Sequence, residues 1–244
     1  PQNLNTEGVS NVAEMFYNCK KLTNIDVSTW FTSGALQNIN RMFYGCESLQ
    51  SLNVSNWNTT NVQDMYQAFA SCKLLQTLDV SNWNTTNVEN MSGLFMECGS
   101  LQTLNVSKWK TGHVQDMSQM FMNCAKLQTL ATGNWDTSNM TNMNSAFFGC
   151  EQLQTLNVSN WNTENVTGMK SMFYRCQSLK YLDLLGWDVS NVTDMELMFG
   201  NMKMRSLSLR TWDTKNVTNM SSMFARGEWL YLDLGSWNTS NAEN

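Results

Sequence analysis

The chain has 244 residues, of which 42% are hydrophobic and 14% charged, and its formal net charge is −5. An ordinary soluble domain is roughly 25% charged, so much of this surface is uncharged polar, and no run of Lys or Arg exists to release counterions from nucleic acid or to seek an anionic membrane. No 18-residue apolar stretch offers a membrane span, and the opening PQNLNTEGVSNV lacks the basic and apolar regions of a signal peptide.

The chain enters on an amphipathic segment, Asn11 to Cys19, with Val12, Met15 and Phe16 at helical spacing. A second such segment follows WFTSGALQNI, with Leu36, Ile39, Met42 and Phe43 as its stripe. Leu49 to Cys72, LQSLNVSNWNTTNVQDMYQAFASC, then gives the unit that the rest of the chain copies. Its first half alternates over Ser51 to Ser55 and predicts a strand with Leu52 and Val54 inward. Its second half places Val62, Met65, Ala68, Phe69 and Cys72 on one side of a predicted short helix, with Asn61 as N-cap and Asp64 in the first turn.

Trp30, Trp57, Trp83, Trp109, Trp135, Trp161, Trp187, Trp212 and Trp237 mark the recurrence of the unit, every 25 to 27 residues. A fixed period in this range predicts a solenoid whose units cover one another's apolar faces. One proline and 13 glycines leave no flexible linker, so residues 1–244 read as a single array of about nine repeats. The array starts and stops inside a unit without a polar cap. A segment of a longer protein is therefore expected, with self-association through open ends as a consequence.

The columns that could carry chemistry have simpler readings. Seven cysteines, Cys19 to Cys176, each lie three residues after a Phe; the number is odd and no two are close in sequence, so buried thiols are expected rather than disulfides or metal ligands. The 18 methionines fall mostly at two core positions. The Trp column could stack on sugars, but its regularity suits a packing ladder with each indole N–H on a carbonyl. His113, the only histidine, stands in the column of the capping Asn and has no partner for acid–base work. No catalytic residue, metal site or cofactor is assigned, and an enzyme is not expected.

The phrases W-N-T-x-N-V and M-F-x-x-C, as in WNTTNVQDM and MFYGC, recur together in order. In these the chain resembles the BspA-type leucine-rich-repeat surface proteins of bacteria, a 26-residue tandem-repeat family also found in mycoplasma lipoproteins. The resemblance implies an extracellular, cell-surface location and adhesion to host proteins or other cells. An α/β leucine-rich-repeat solenoid is then expected, curved, with a parallel β-sheet on the concave face and short helices on the convex face.

On that concave face the outward residues of the first six units are small and polar, for example Ser51, Asn53 and Ser55. The last three units present Tyr181, Asp183 and Leu185, then Ser206, Ser208 and Arg210, then Tyr231, Asp233 and Gly235. Aromatic residues and Arg most often carry binding energy, so Tyr181, Asp183, Leu185, Arg210, Tyr231 and Asp233 form the candidate ligand site. The expected function is a non-enzymatic recognition or adhesion module for an extracellular protein or glycan. A structural spacer displaying another domain is the alternative, and ice binding by the Thr77, Thr103, Thr129 and Thr155 column comes third.

Overall fold

The computed structural model describes residues 4–235 and 237–243. It keeps the period and replaces the secondary structure. Each unit is one rung of a stack, hydrogen-bonded to the rungs before and after it, but no helix occurs among the described residues. Strand structure is limited to six short elements: β1 (Ser51–Leu52), β2 (Thr77–Leu78), β3 (Thr129–Leu130), β4 (Thr155–Leu156), β5 (Ser206–Ser208) and β6 (Tyr231–Asp233). They form three separate two-stranded parallel sheets, β1–β2, β3–β4 and β5–β6, with Ser51 opposite Thr77, Thr129 opposite Thr155, and Ser206 opposite Tyr231.

The expected helices fail for a backbone reason. In every unit two residues four apart have left-handed φ: Arg41 (51°) and Gly45 (71°), Gln67 (52°) and Ser71 (59°), Gln119 (57°) and Asn123 (59°). An α-helix requires negative φ throughout. Alternate residues instead close single turns, Met42 N–H onto Ile39 C=O (3.0 Å), Tyr44 onto Arg41 (3.1 Å) and Cys46 onto Phe43 (3.1 Å). The intervening N–H groups point to the next rung: Ile39 to Asp64 C=O (3.2 Å), Arg41 to Tyr66 (2.8 Å), Phe43 to Ala68 (2.8 Å) and Gly45 to Ala70 (2.8 Å). Half the donors thus bond within a rung and half between rungs, which leaves no helical i to i−4 ladder.

Local polar chemistry sets up this path. Asp64, expected to favour a helix start, accepts the N–H of Tyr66 on Oδ1 at 2.8 Å, an Asx turn. Asn61, expected as an N-cap, donates from Nδ2 to the Gly34 carbonyl of the previous rung at 2.8 Å. The predicted strands end early for a related reason: Asn53 Oδ1 accepts both the N–H and the hydroxyl of Ser55, at 3.3 and 2.8 Å, and turns the chain after Leu52.

The core survives these changes because it depends on side-chain columns. Val62, Met65, Ala68, Phe69 and Cys72 are fully buried, as are their counterparts in most rungs. Successive Phe rings, from Phe43 through Phe69, Phe95 and Phe121 to Phe147, stack at 5.6 to 5.9 Å between centroids. On another side of the core, Trp57 to Trp83, Trp109, Trp135 and Trp161 stack at 6.0 to 6.5 Å. Helices would hold rungs about 10 Å apart on one side and strands about 4.8 Å on the other. Here both columns keep nearly the same spacing, so the wedge that would bend a sheet inward is missing. The curved leucine-rich-repeat solenoid, with its concave sheet and convex helices, is therefore not formed.

Candidate functional site

Apart from the buried Trp30 Nε1, which has no partner among the described residues, the inner columns satisfy one another and leave little for a ligand. Trp83 donates from Nε1 to the Val54 carbonyl at 3.2 Å and Trp109 to Val80 at 3.1 Å, one rung back in each case. Thr85 and Thr111 donate from Oγ1 to the carbonyls of Lys110 and Asp136, both at 2.8 Å. Cys98, Cys124 and Cys150 donate from Sγ to the Phe carbonyl of the previous rung at 3.1 Å. Burial pushes these thiols up, Cys98 and Cys176 to about 12, so the thiolate needed for redox chemistry or metal binding is suppressed. Cys19, in the first rung, is exposed.

His113 keeps the role of the Asn it replaces. Its Nδ1 lies 2.7 Å from the Thr86 carbonyl, as Asn139 Nδ2 lies 2.6 Å from the Gly112 carbonyl. A carbonyl only accepts, so Nδ1 carries the proton. Among the described residues no group of three or more His, Cys, Asp or Glu side chains is placed to hold a metal.

The predicted site residues lie together at the last three rungs. Tyr181 and Tyr231 are 71% and 62% exposed, Leu185 is 40% exposed, and Arg210 is exposed. Asp183 and Asp233 are half-buried. Asp183 Oδ1 accepts the Leu185 N–H at 3.3 Å, and Asp233 Oδ2 accepts the Ser208 hydroxyl at 2.9 Å. Parallel pairing of β5 with β6 sets Ser206 beside Tyr231 and Ser208 beside Asp233. One cleft of about 220 Å³ is lined by Tyr181, Leu182, Asp183, Leu185, Ser206, Ser208 and Tyr231, among others. Arg210 does not line it. Its backbone instead packs against Gly235, where a Cβ would stand 2.6 Å from the Arg210 carbonyl oxygen and where φ is +54°.

The sequence reading missed Leu230, 78% exposed at the same end. A signal was present: the column holds Gln50, Gln76, Gln102, Gln128, Gln154, Lys180 and Arg205 before Leu230, the first apolar member among these.

A helix-free stack of rungs about 26 residues apart, with Trp and Phe columns inside, is the class of protein that these features define. The family model described as "Mycoplasma protein of unknown function, DUF285" matches over residues 10–128, 93–209 and 180–244, and the chain belongs to that family. The resemblance to BspA-type proteins is corrected accordingly, since the family matched is a different one and the helices that the resemblance implied are absent.

Comparison with curated proteins finds no match. Among solved structures the chain is similar to an internalin (inlF) from Listeria monocytogenes, at 14% identity and a TM-score of 0.30, over 87% of this chain and 67% of that one. A leucine-rich-repeat protein of Leptospira interrogans matches at 13% identity and a TM-score of 0.33, over 89% of this chain and 65% of that one. One from Bacteroides ovatus matches at 16% identity and a TM-score of 0.23, over 92% and 78%. Scores this low do not establish a common fold. Adhesion through a concave leucine-rich-repeat face is withdrawn with that face, and display as a solenoidal spacer with it. No helix of the described residues is long and apolar enough to cross a membrane.

Proposed function

We propose that the chain acts as one non-enzymatic protein-binding array outside the cell, and that its partner docks on the rung edges around Tyr181, Asp183, Leu185, Arg210, Tyr231 and Asp233. The observation that carries this reading is the contrast within one column. Where Thr77, Thr103, Thr129 and Thr155 present hydroxyls, Tyr181 and Tyr231 present two large, solvated rings that the core does not use. Exposed aromatic groups with an aliphatic and a charged neighbour are the composition of binding hot spots. An oxidising exterior is compatible with the cysteines: six of the seven are buried and donate to carbonyls, so they are poorly placed to cross-link.

The test is capture of binding partners from a panel of purified extracellular proteins, with the native chain beside a Tyr181→Ala, Tyr231→Ala double variant. Saturable binding that weakens at least about 30-fold in the variant supports the reading, since two aromatic hot spots carry about 2 kcal/mol or more. Binding kept unchanged by a folded variant refutes this placement.

A further inference from the structure

The cleft between the tyrosines has a chemistry of its own, and the inference from it rests on the protein-binding reading above. Tyr181 and Tyr231 belong to one column and are separated by the rung of Ser206. Ser206 pairs with Tyr231, and at ordinary strand spacing two rungs set the backbones of Tyr181 and Tyr231 about 10 Å apart, enough for one flat or rod-like group between the two side chains. The cleft volume of about 220 Å³ is below the roughly 300 to 1,000 Å³ of sites for drug-sized ligands, so it suits a single side chain. Its floor is Ser206 with the small Ser208 beyond, and Leu182 and Leu185 add apolar wall.

Among the described residues the only charged side chain lining this cleft is the Asp183 carboxylate. Its one partner among the described residues is the N–H of Leu185, at 3.3 Å to Oδ1, which leaves acceptor capacity on both oxygens. Asp233 stands at the far edge, held by Ser208. Lys180, Arg205 and Arg210 are exposed nearby and line none of it. Aromatic walls closed by a carboxylate attract a cation, and a planar cation gains twice, by stacking on the rings and by paired bonds to the carboxylate.

We infer that the Tyr181–Tyr231 cleft takes an arginine side chain of the partner protein, its guanidinium between the two rings and bonded to Asp183. A Lys would keep the charge and lose the stacking and the fork geometry. A neutral planar side chain would keep the stacking and lose the charge-assisted pair.

The probe is N-acetyl-arginine amide, titrated into the full chain while the tyrosine ring signals are followed by NMR, with N-acetyl-citrulline amide as the neutral analogue of nearly the same shape. The expected result is saturable shifts of the Tyr181 and Tyr231 signals with arginine. Citrulline, and the Asp183→Asn variant with arginine, should each bind at least about tenfold more weakly, the loss expected for a charge-assisted pair. Asp183→Asn keeps the Asx bond to Leu185, so its fold is expected to survive, and unchanged Trp fluorescence checks this. Equal response to citrulline, or ring shifts with a methyl hexopyranoside and none with arginine, overturns the inference. A protein partner lost in the double Tyr variant but retained by Asp183→Asn would leave the protein-binding reading standing and remove this one.

Discussion

The middle rungs, 26 residues apart, and the last two, 25 apart, continue one stack yet close their cores differently. From Cys46 to Cys176 a buried thiol sits at the end of each turn run and donates to the Phe carbonyl one rung back. In the last two units Met202 and Gly227 take the thiol's place. Met202 is fully buried and fills the space. Gly227 leaves it open, and Trp229, which is outside the regular Trp column, folds in: its Nε1 donates to the Phe224 carbonyl at 3.2 Å and its ring meets Phe224 edge-on at 5.8 Å. Different side chains can therefore fill the end of a rung without the thiol's bond to the rung before: Met202 has no donor, and Trp229 bonds the carbonyl of Phe224 in its own rung.

The largest separation between the two regions is expected at alkaline pH. Cys98 and Cys176 are raised to about 12 by burial, and Cys72, Cys124 and Cys150 stand well above their ordinary value for the same reason. A thiol whose folded value is raised stabilises the fold fully below the unfolded value near 9, and that contribution is lost as pH climbs toward 12. Stability measured by denaturant melts should fall steeply between pH 9 and 12. Cys124→Ala should lower stability at pH 7 and flatten this fall. A profile level to pH 11 would show that the thiols are not held as the structure has them.

Core truncation gives the next effect. Phe121 is fully buried between two Phe neighbours, whereas Phe224 is partly buried. Phe121→Ala should cost about 3 to 5 kcal/mol and Phe224→Ala about half of that, read from the same melts. Gly227→Ala is expected to cost about as much as Phe224→Ala, about 1 to 3 kcal/mol. The new Cβ would lie 2.0 Å from Trp229 Nε1, so the indole must leave and its bond to Phe224 is lost. Hydrogen exchange confined to the last rung would mark that loss as local.

How much of this was legible depends on which feature carried the information. The Trp and Phe columns and the inward Leu52 and Val54 are side-chain patterns, and the chain prints them directly. The turn runs are not legible in that way. Val62, Met65, Phe69 and Cys72 recur at three and four residues, a spacing that successive turns bonded i to i−3 produce as readily as a helix does. What separates the two is backbone sign, and the left-handed positions are filled by Glu14, Arg41, Gln67 and Leu197, residues without turn propensity. Gly45, Gly93, Gly149, Asn18, Asn123 and Asn201 at the same positions were the available hint. At the site, the Tyr181 and Tyr231 departures from a polar column were legible in sequence, while the cleft they make with Asp183 depends on rung spacing.

That hint yields the smallest prediction, and one that tests the backbone directly. Ser145 has φ of 56° and occupies the position that Gly93 fills in an earlier rung at 60°. An L-residue pays about 1 to 2 kcal/mol to sit there, and its N–H is needed all the same, since it donates to the Lys170 carbonyl at 2.8 Å. Glycine removes the steric penalty and gives back about 0.5 to 1 kcal/mol through the freedom of the unfolded chain. Ser145→Gly should therefore stabilise by up to about 1 kcal/mol, where the same substitution in a helix would destabilise by about that amount. The sign of that change, measured at equilibrium, decides between a ladder of turns and a helix without reference to any other part of the molecule.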